Sequence, residues 1–245
     1  MRAYLKIKFN GELVLPIQYN YVIQAVILKW IGEESYQKFI HDTGYEFNKR
    51  QFKLYSFSRL EGKFHIDREK KEIIFYDDLR LLLTSADNKF LEYLINNVIK
   101  SSKISILNQE VWIDEINCSN RRISGEEKVY TKSPVVVYST LTGGDKKKTY
   151  YYNPVEKEFT ELVRKNLLNK YSAAFGKEPE DDDFRIIPLD ASRLKESVVL
   201  YKGTVIKGYS GEFLIKGSSE LTNLAYDAGI GSKNSQGFGC IELCR

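Results

Sequence analysis

The 245-residue chain has two histidines, so proton transfer by an imidazole near neutral pH has two candidates, His41 and His65. His65 stands in Lys63-Phe64-His65-Ile66-Asp67, an alternating run that reads as a plain strand with the ring in solvent. His41 ends a short helical stretch in Phe39-Ile40-His41-Asp42-Thr43-Gly44 and precedes the basic run Lys49-Arg50-Gln51-Phe52-Lys53. By spacing alone the plainer role is that of a cation at a helix C-terminus. The sharper one is acid–base work beside a phosphate, with a nearby lysine offsetting the charge. Nucleophilic side chains find no support, because no G-x-S-x-G occurs and neither histidine lies near a cysteine in sequence. The cysteines Cys118, Cys240 and Cys244 form no CxxC, and Asp181-Asp182-Asp183 is a loop run without a partner motif, so no metal set assembles. RNA needs neither device. Its ribose 2′-hydroxyl can attack the adjacent phosphate while a histidine handles protons and a lysine stabilises the pentavalent centre. That chemistry calls for no cofactor.

The second unusual stretch is Gly229-Ile230-Gly231-Ser232-Lys233-Asn234-Ser235-Gln236-Gly237-Phe238-Gly239. Four glycines in one loop are entropically costly and mark a main chain that takes positive φ or is closely approached. A helical pattern precedes it (218–228) and a strand pattern follows it (240–243), the reverse of a phosphate-binding turn that leaves a strand and enters a helix. Nucleotide-cofactor binding is therefore disfavoured. A loop presenting backbone N–H groups and Lys233 to a nucleic-acid strand is favoured, which makes Gly229, Gly231, Ser232, Lys233, Asn234, Ser235, Gln236, Gly237 and Gly239 candidate RNA contacts, together with Lys49 and Arg50.

The elements that must position these groups follow from periodicity. Ala3, Leu5, Ile7 and Phe9 alternate with Arg2, Tyr4, Lys6 and Lys8, a half-buried strand whose second face is basic and aromatic. Helices are predicted over 19–31, 33–41 and 88–100, and strands over 52–57, 63–67, 72–76, 104–107 and 111–117. This β-α-(α)-β-β-α-β order is that of a ferredoxin-like domain with one extra helix. The second half repeats it loosely: a strand over 134–140, a long helix from Asn153-Pro154 to Phe175 stopped by Gly176, strands over 185–188, 198–207 and 211–216, then helix, glycine loop and last strand. The fold class is α+β, two tandem ferredoxin-like (RRM-like) domains, 1–119 and 120–245. The aromatic RNP strand signature of RRM proteins is absent, so RNA would rest on the loop and on basic surfaces between the halves.

Composition agrees with such a partner. Lys and Arg number 37 against 33 Asp and Glu, giving a net charge of +4, and 17 tyrosines and 13 phenylalanines permit base stacking. Cysteine usage points to a reduced, cytoplasmic chain. No apolar run approaches the ~20 residues of a membrane span, and no signal-peptide core opens the chain, so no membrane partner is expected.

These residues resemble the CRISPR-associated protein six family, repeat-specific endoribonucleases of the RAMP superfamily. The resemblance rests on the glycine loop with Lys233-Asn234-Ser235, on Met1-Arg2, on Leu15-Pro16 before a helix carrying Gln24, and on Glu156-Lys157-Glu158-Phe159. It implies that His41 matches the family's catalytic histidine and Lys53 its catalytic lysine. Metal-independent cleavage of precursor CRISPR RNA by 2′-hydroxyl attack would then leave a 2′,3′-cyclic phosphate and a 5′-hydroxyl. CRISPR repeat RNA is the implied partner, with effector-complex subunits and a second copy of the chain left open. Some members carry a tyrosine on the first helix where this chain has Leu28. The alternative implied is a RAMP subunit that holds guide RNA without cutting it.

Overall fold

A computed structural model describes residues 1–101, 104–143 and 146–244. In chain order the first half runs β1 (Arg2–Phe9), β2 (Leu13–Pro16), α1 (Asn20–Trp30), α2 (Glu34–Lys38), a π-helical turn (Phe39–Thr43), β3 (Tyr45–Phe47), β4 (Arg50–Phe52), β5 (Tyr55–Phe57), β6 (Phe64–Asp67), β7 (Glu72–Phe75), β8 (Leu79–Ser85), α3 (Asn88–Lys100), β9 (Ile104–Ile106) and β10 (Gln109–Ser119). Its main sheet has the antiparallel order β5-β8-β1-β10-β9, and the first four of these show the ferredoxin-like arrangement. The inward residues of β1, Ala3, Leu5 and Ile7, pack beneath α1 and α3, whose apolar stripes (Val22, Ile23, Val26, Ile27, Trp30 and Phe90, Leu91, Leu94, Val98) close this core.

The second half runs β11 (Glu126–Thr131), β12 (Tyr138–Gly143), β13 (Lys146–Tyr151), α4 (Lys157–Phe175), β14 (Phe184–Pro188), β15 (Lys195–Tyr201), β16 (Thr204–Ser210), β17 (Glu212–Gly217), α5 (Ser219–Ala228) and β18 (Ile241–Leu243). Its sheet, β14-β17-β11-β18, repeats the same order. Phe159, Val163, Leu167 and Tyr171 of α4 join Leu221, Leu224 and Ala225 of α5 over Val129, Phe213 and Ile215. Gly176, in the left-handed region at φ 68°, ends α4 as expected. No helix among the described residues is long and apolar enough to cross a membrane.

Several expectations are corrected. The strand placed at 52–57 is broken at Leu54, whose φ of 50° turns β4 out of line with β5. The helix placed over 33–41 changes at Phe39 into the π-helical turn. The first strand of the second sheet is Glu126–Thr131 and not 134–140; its Glu126, Glu127 and Lys128 hide the pattern, and only Val129 is fully buried. The strand β8 was not anticipated, since six of its seven residues are buried and no alternation shows. The segment Asn153-Pro154 makes a turn rather than the first helical residues, with the Asn153 and Val155 N–H groups donating to Glu156 Oε1 (2.5 Å) and Asn153 Oδ1 (3.1 Å).

Arg2 departs most from its expected place. The outer face of β1 at this position is covered by the second half, and Arg2 is fully buried. Its guanidinium donates to the carbonyls of Tyr226 (2.6 Å) and Ile241 (2.5 Å), pairs with Glu242 (3.3 Å) and stacks on the Tyr226 ring.

Candidate RNA-processing site

His41 lies in the π-helical turn that continues α2. The turn closes on Gly44, whose N–H donates to the Phe39 carbonyl at 2.7 Å and whose φ is 64°. A Cβ at Gly44 would strike the Phe52 carbonyl and lie 2.8 Å from Lys53 Cδ. The missing side chain is what lets the Lys53 stem cross the turn, and Lys53 Nζ then donates to the His41 carbonyl at 3.1 Å. Burial lowers the Lys53 ammonium below the ordinary lysine value, an effect the nearby Asp42 carboxylate opposes. The His41 ring is exposed, and its Nδ1 meets Asp42 Oδ1 at 2.7 Å. The hydrogen bond from His41 holds the Asp42 carboxyl below its usual range. With Nδ1–H directed to a carboxylate, a neutral ring carries its free lone pair on Nε2, facing solvent.

Lys53 is placed by its neighbours. Phe52 and Leu54 insert into the core of the second half, whereas Tyr55 and Phe57 belong to that of the first. β3 and β4 form a hairpin whose two loop residues, Asn48 and Lys49, both have positive φ, leaving the Lys49 and Arg50 side chains exposed.

The glycine loop has the positive φ values expected of it, but the atoms that approach it are the protein's own. A Cβ at Gly231 would lie 2.5 Å from the Val136 carbonyl and one at Gly237 2.6 Å from the Phe57 ring, and Gly229 and Gly239 are similarly crowded. Packing within the protein already requires all four glycines, against the first half at Gly229 and Gly237 and within the second half at Gly231 and Gly239. Ser232 N–H donates to the Val136 carbonyl (2.8 Å) and Gly239 N–H to that of Pro134 (2.8 Å). From the first half, Asn20 Nδ2 donates to the Gln236 carbonyl (2.7 Å) and Ser56 Oγ to that of Phe238 (3.0 Å). Asn234 is buried and donates to the carbonyls of Ile230 and Phe238, both at 3.0 Å.

Lys170 of α4 completes the loop. Its buried Nζ donates to the carbonyls of Gly229 (2.7 Å) and Gly231 (3.1 Å) and to Asn234 Oδ1 (2.7 Å), three acceptors for the three N–H bonds of an ammonium. Burial pulls its pKa down to about 7. Sequence reading passed over this residue, although a lysine beside Leu167 and Tyr171 in a buried stripe is a legible signal.

What the loop does present borders a cleft of about 880 Å³ between the halves. Ser232, Lys233, Asn234, Ser235 and Gln236 line one wall, Arg50 and Lys53 another, and Lys165 of α4 with Tyr138 of β12 a third. No described lining side chain is acidic. Lys233 lies 5.3 Å from the Tyr138 ring centre, and burial lowers its pKa. His41 and Lys49 stand outside this lining, with Lys53 the link between His41 and the cleft. Leu28 of α1 is half-buried against the first core, and the Tyr36 hydroxyl is engaged by Asp87.

Comparison with known proteins gives the arrangement a family. The sequence pattern described as CRISPR associated protein Cas6, C-terminal, matches residues 113–243. A CRISPR-associated endoribonuclease-like protein Cas6 of Pyrococcus furiosus is 28% identical, with 99% of this chain and 98% of that protein aligned. The solved structure of a Cas6-related protein from Pyrococcus furiosus superposes with a TM-score of 0.85 at 26% identity, covering 100% of this chain and 98% of the other. That of an RAMP protein binding different RNA substrates does so with a TM-score of 0.82 at 26% identity, over 100% of both chains. The tandem ferredoxin-like halves, the glycine loop between them and the matched second half together make this chain a member of the Cas6 family.

Proposed function

We propose that the chain binds CRISPR repeat RNA in the basic cleft and cleaves precursor CRISPR RNA without a metal. The observation that carries this reading is the convergence of His41 and Lys53 at the cleft edge, with Lys53 Nζ 3.1 Å from the His41 carbonyl and its stem among the cleft residues. In the step, the ribose 2′-oxygen forms a bond to the adjacent phosphorus and the bond to the 5′-oxygen breaks. The 2′-hydroxyl proton passes to Nε2 of the neutral imidazole, the departing 5′-oxygen takes a proton from solvent water, and the imidazolium returns its own proton to solvent. The products are a 2′,3′-cyclic phosphate and a 5′-hydroxyl. Lys53 offsets the charge on the equatorial oxygens, and Asp42 fixes the ring. Arg50, Lys165 and Lys233, with Lys49 at the rim, hold backbone phosphates; Ser232, Ser235 and Gln236 supply polar contacts, on a loop that Asn234 braces from within. The relatives' printed names, endoribonuclease-like and RNA-binding, support the assignment.

A second reading, a subunit that holds RNA without cutting it, is favoured by the place of His41 outside the cleft lining. One experiment separates the two. Repeat RNA incubated with the protein in EDTA is expected to be cut, and His41→Ala is expected to lower the rate by about 10²–10⁴-fold with affinity retained. Tight binding with no cleavage by the unaltered chain would establish the second reading; undiminished cleavage by the variant would remove His41 from the mechanism.

A further inference from the structure

A π-helical turn is a rare local conformation that surrounding structure must hold in place. The turn carrying His41 is tied at both ends to one carboxylate. Asp87, at the corner between β8 and α3, caps α3 by accepting the Lys89 N–H on Oδ1 at 3.0 Å. Its other oxygen, Oδ2, accepts the hydroxyls of Tyr36, in α2 before the turn, and of Tyr45, which opens β3 after it (2.5 Å). Phe39, the first residue of the turn, packs edge-on against Tyr45 with ring centres 5.3 Å apart. Burial first and Asp87 second push both phenols well above the usual tyrosine value, so both stay neutral donors across the working pH range. The same corner also holds the other partner of the site. Ala86 N–H and Ser85 Oγ both donate to the Leu54 carbonyl (3.0 and 3.1 Å), and Asp87 N–H donates to Ser85 Oγ (3.1 Å). Leu54 is the residue after Lys53.

We propose that Asp87 is the positioning residue of the site: its carboxylate, through Tyr36 and Tyr45, fixes the His41 turn relative to the link between β4 and β5 that bears Lys53. The claim rests on the His41–Lys53 reading given above. It also assigns the two tyrosines that flank His41 a holding role and not one in proton transfer.

The test uses Asp87→Asn, which keeps the size and the helix cap but loses the charge, and the double variant Tyr36→Phe/Tyr45→Phe. Three quantities are measured on the full chain: the single-turnover cleavage constant with repeat RNA, the affinity for that RNA, and the imidazole proton resonances of His41 and His65. The expected result is a cleavage constant at least tenfold lower, affinity unchanged within about twofold, and a displaced His41 resonance beside an unmoved His65 resonance. The double variant reproduces all three. Native cleavage with an unmoved His41 resonance overturns the proposal. A chain that cuts nothing in its unaltered form removes the nuclease reading, while the His41 resonance still decides whether Asp87 holds the turn. If Asp87→Asn does not fold, the single Tyr36→Phe and Tyr45→Phe variants carry the same comparison, each removing one of the two bonds.

Discussion

Lys53 and Lys170 are both lowered by burial and have opposite duties. In the proposed step Lys53 stays an ammonium to offset phosphate charge, yet burial favours its neutral form, which Asp42 opposes. The rate–pH profile is therefore expected to fall on its alkaline side below the ordinary lysine range. Lys53→Arg, which cannot lose its proton there, is expected to lack that limb even if its absolute rate is lower. A stopped-time cleavage series from pH 6 to 10 checks this. Lys170 is bound to the protein's own oxygens, and its charge bears on stability. Its folded pKa of about 7 lies below that of the unfolded chain, so above about pH 7 the unfolded state binds more protons and stability rises with pH. The expected slope approaches 1.4 kcal/mol per pH unit. Lys170→Met should abolish that slope in denaturant titrations at pH 7 and 9, and should cost about 3 kcal/mol by leaving buried acceptors without a donor.

At the level of elements, Gly44 is where the turn and the β3–β4 hairpin share space. Alanine there would carry a Cβ 2.8 Å from Lys53 Cδ, at a φ of 64° that side chains rarely adopt. Gly44→Ala is expected to lower cleavage about 10²-fold through misplacement of Lys53, to leave RNA affinity nearly intact, and to lower the melting temperature by a few degrees. How much of this was readable depends on the element. The ferredoxin-like order was legible because β1, α1 and α3 each bury one clean stripe. His41 and Lys53 came from the family resemblance, since spacing alone favoured a plainer role for His41. The π-helical turn, the kink at Leu54 and the hairpin between them leave no periodic trace, because tertiary ties to Asp87, Leu54 and Gly44 impose them. The positive φ values of the glycine loop were legible from its composition, whereas its close packing against Phe57 and Val136 was not. The Lys170 tie spans 59 residues to Gly229 and has no local signature.

Across the whole molecule, the proposed recognition is electrostatic at a place that net charge hardly reveals, since +4 is modest for 245 residues. The cleft concentrates Arg50, Lys53, Lys165 and Lys233 without one acidic residue among the described lining. If each meets one phosphate of a single strand, the plot of log affinity against log salt should have a slope of about −3, taking ~0.7 per contact. Lys233→Ala should weaken binding and reduce that slope by about 0.7, measured by filter binding between 50 and 300 mM salt. A slope near zero would place the RNA elsewhere.

Arg2 has a consequence for the order in which the molecule can be made. Its guanidinium is satisfied by Tyr226, Ile241 and Glu242, residues more than 220 positions away. Phe52 and Leu54, on either side of Lys53, likewise find their core only in the second half. During synthesis the first half thus emerges with an unpaired cation on its sheet and two apolar side chains without cover. Lys53, between those two side chains, is therefore expected to take its final place only once the core of the second half has formed.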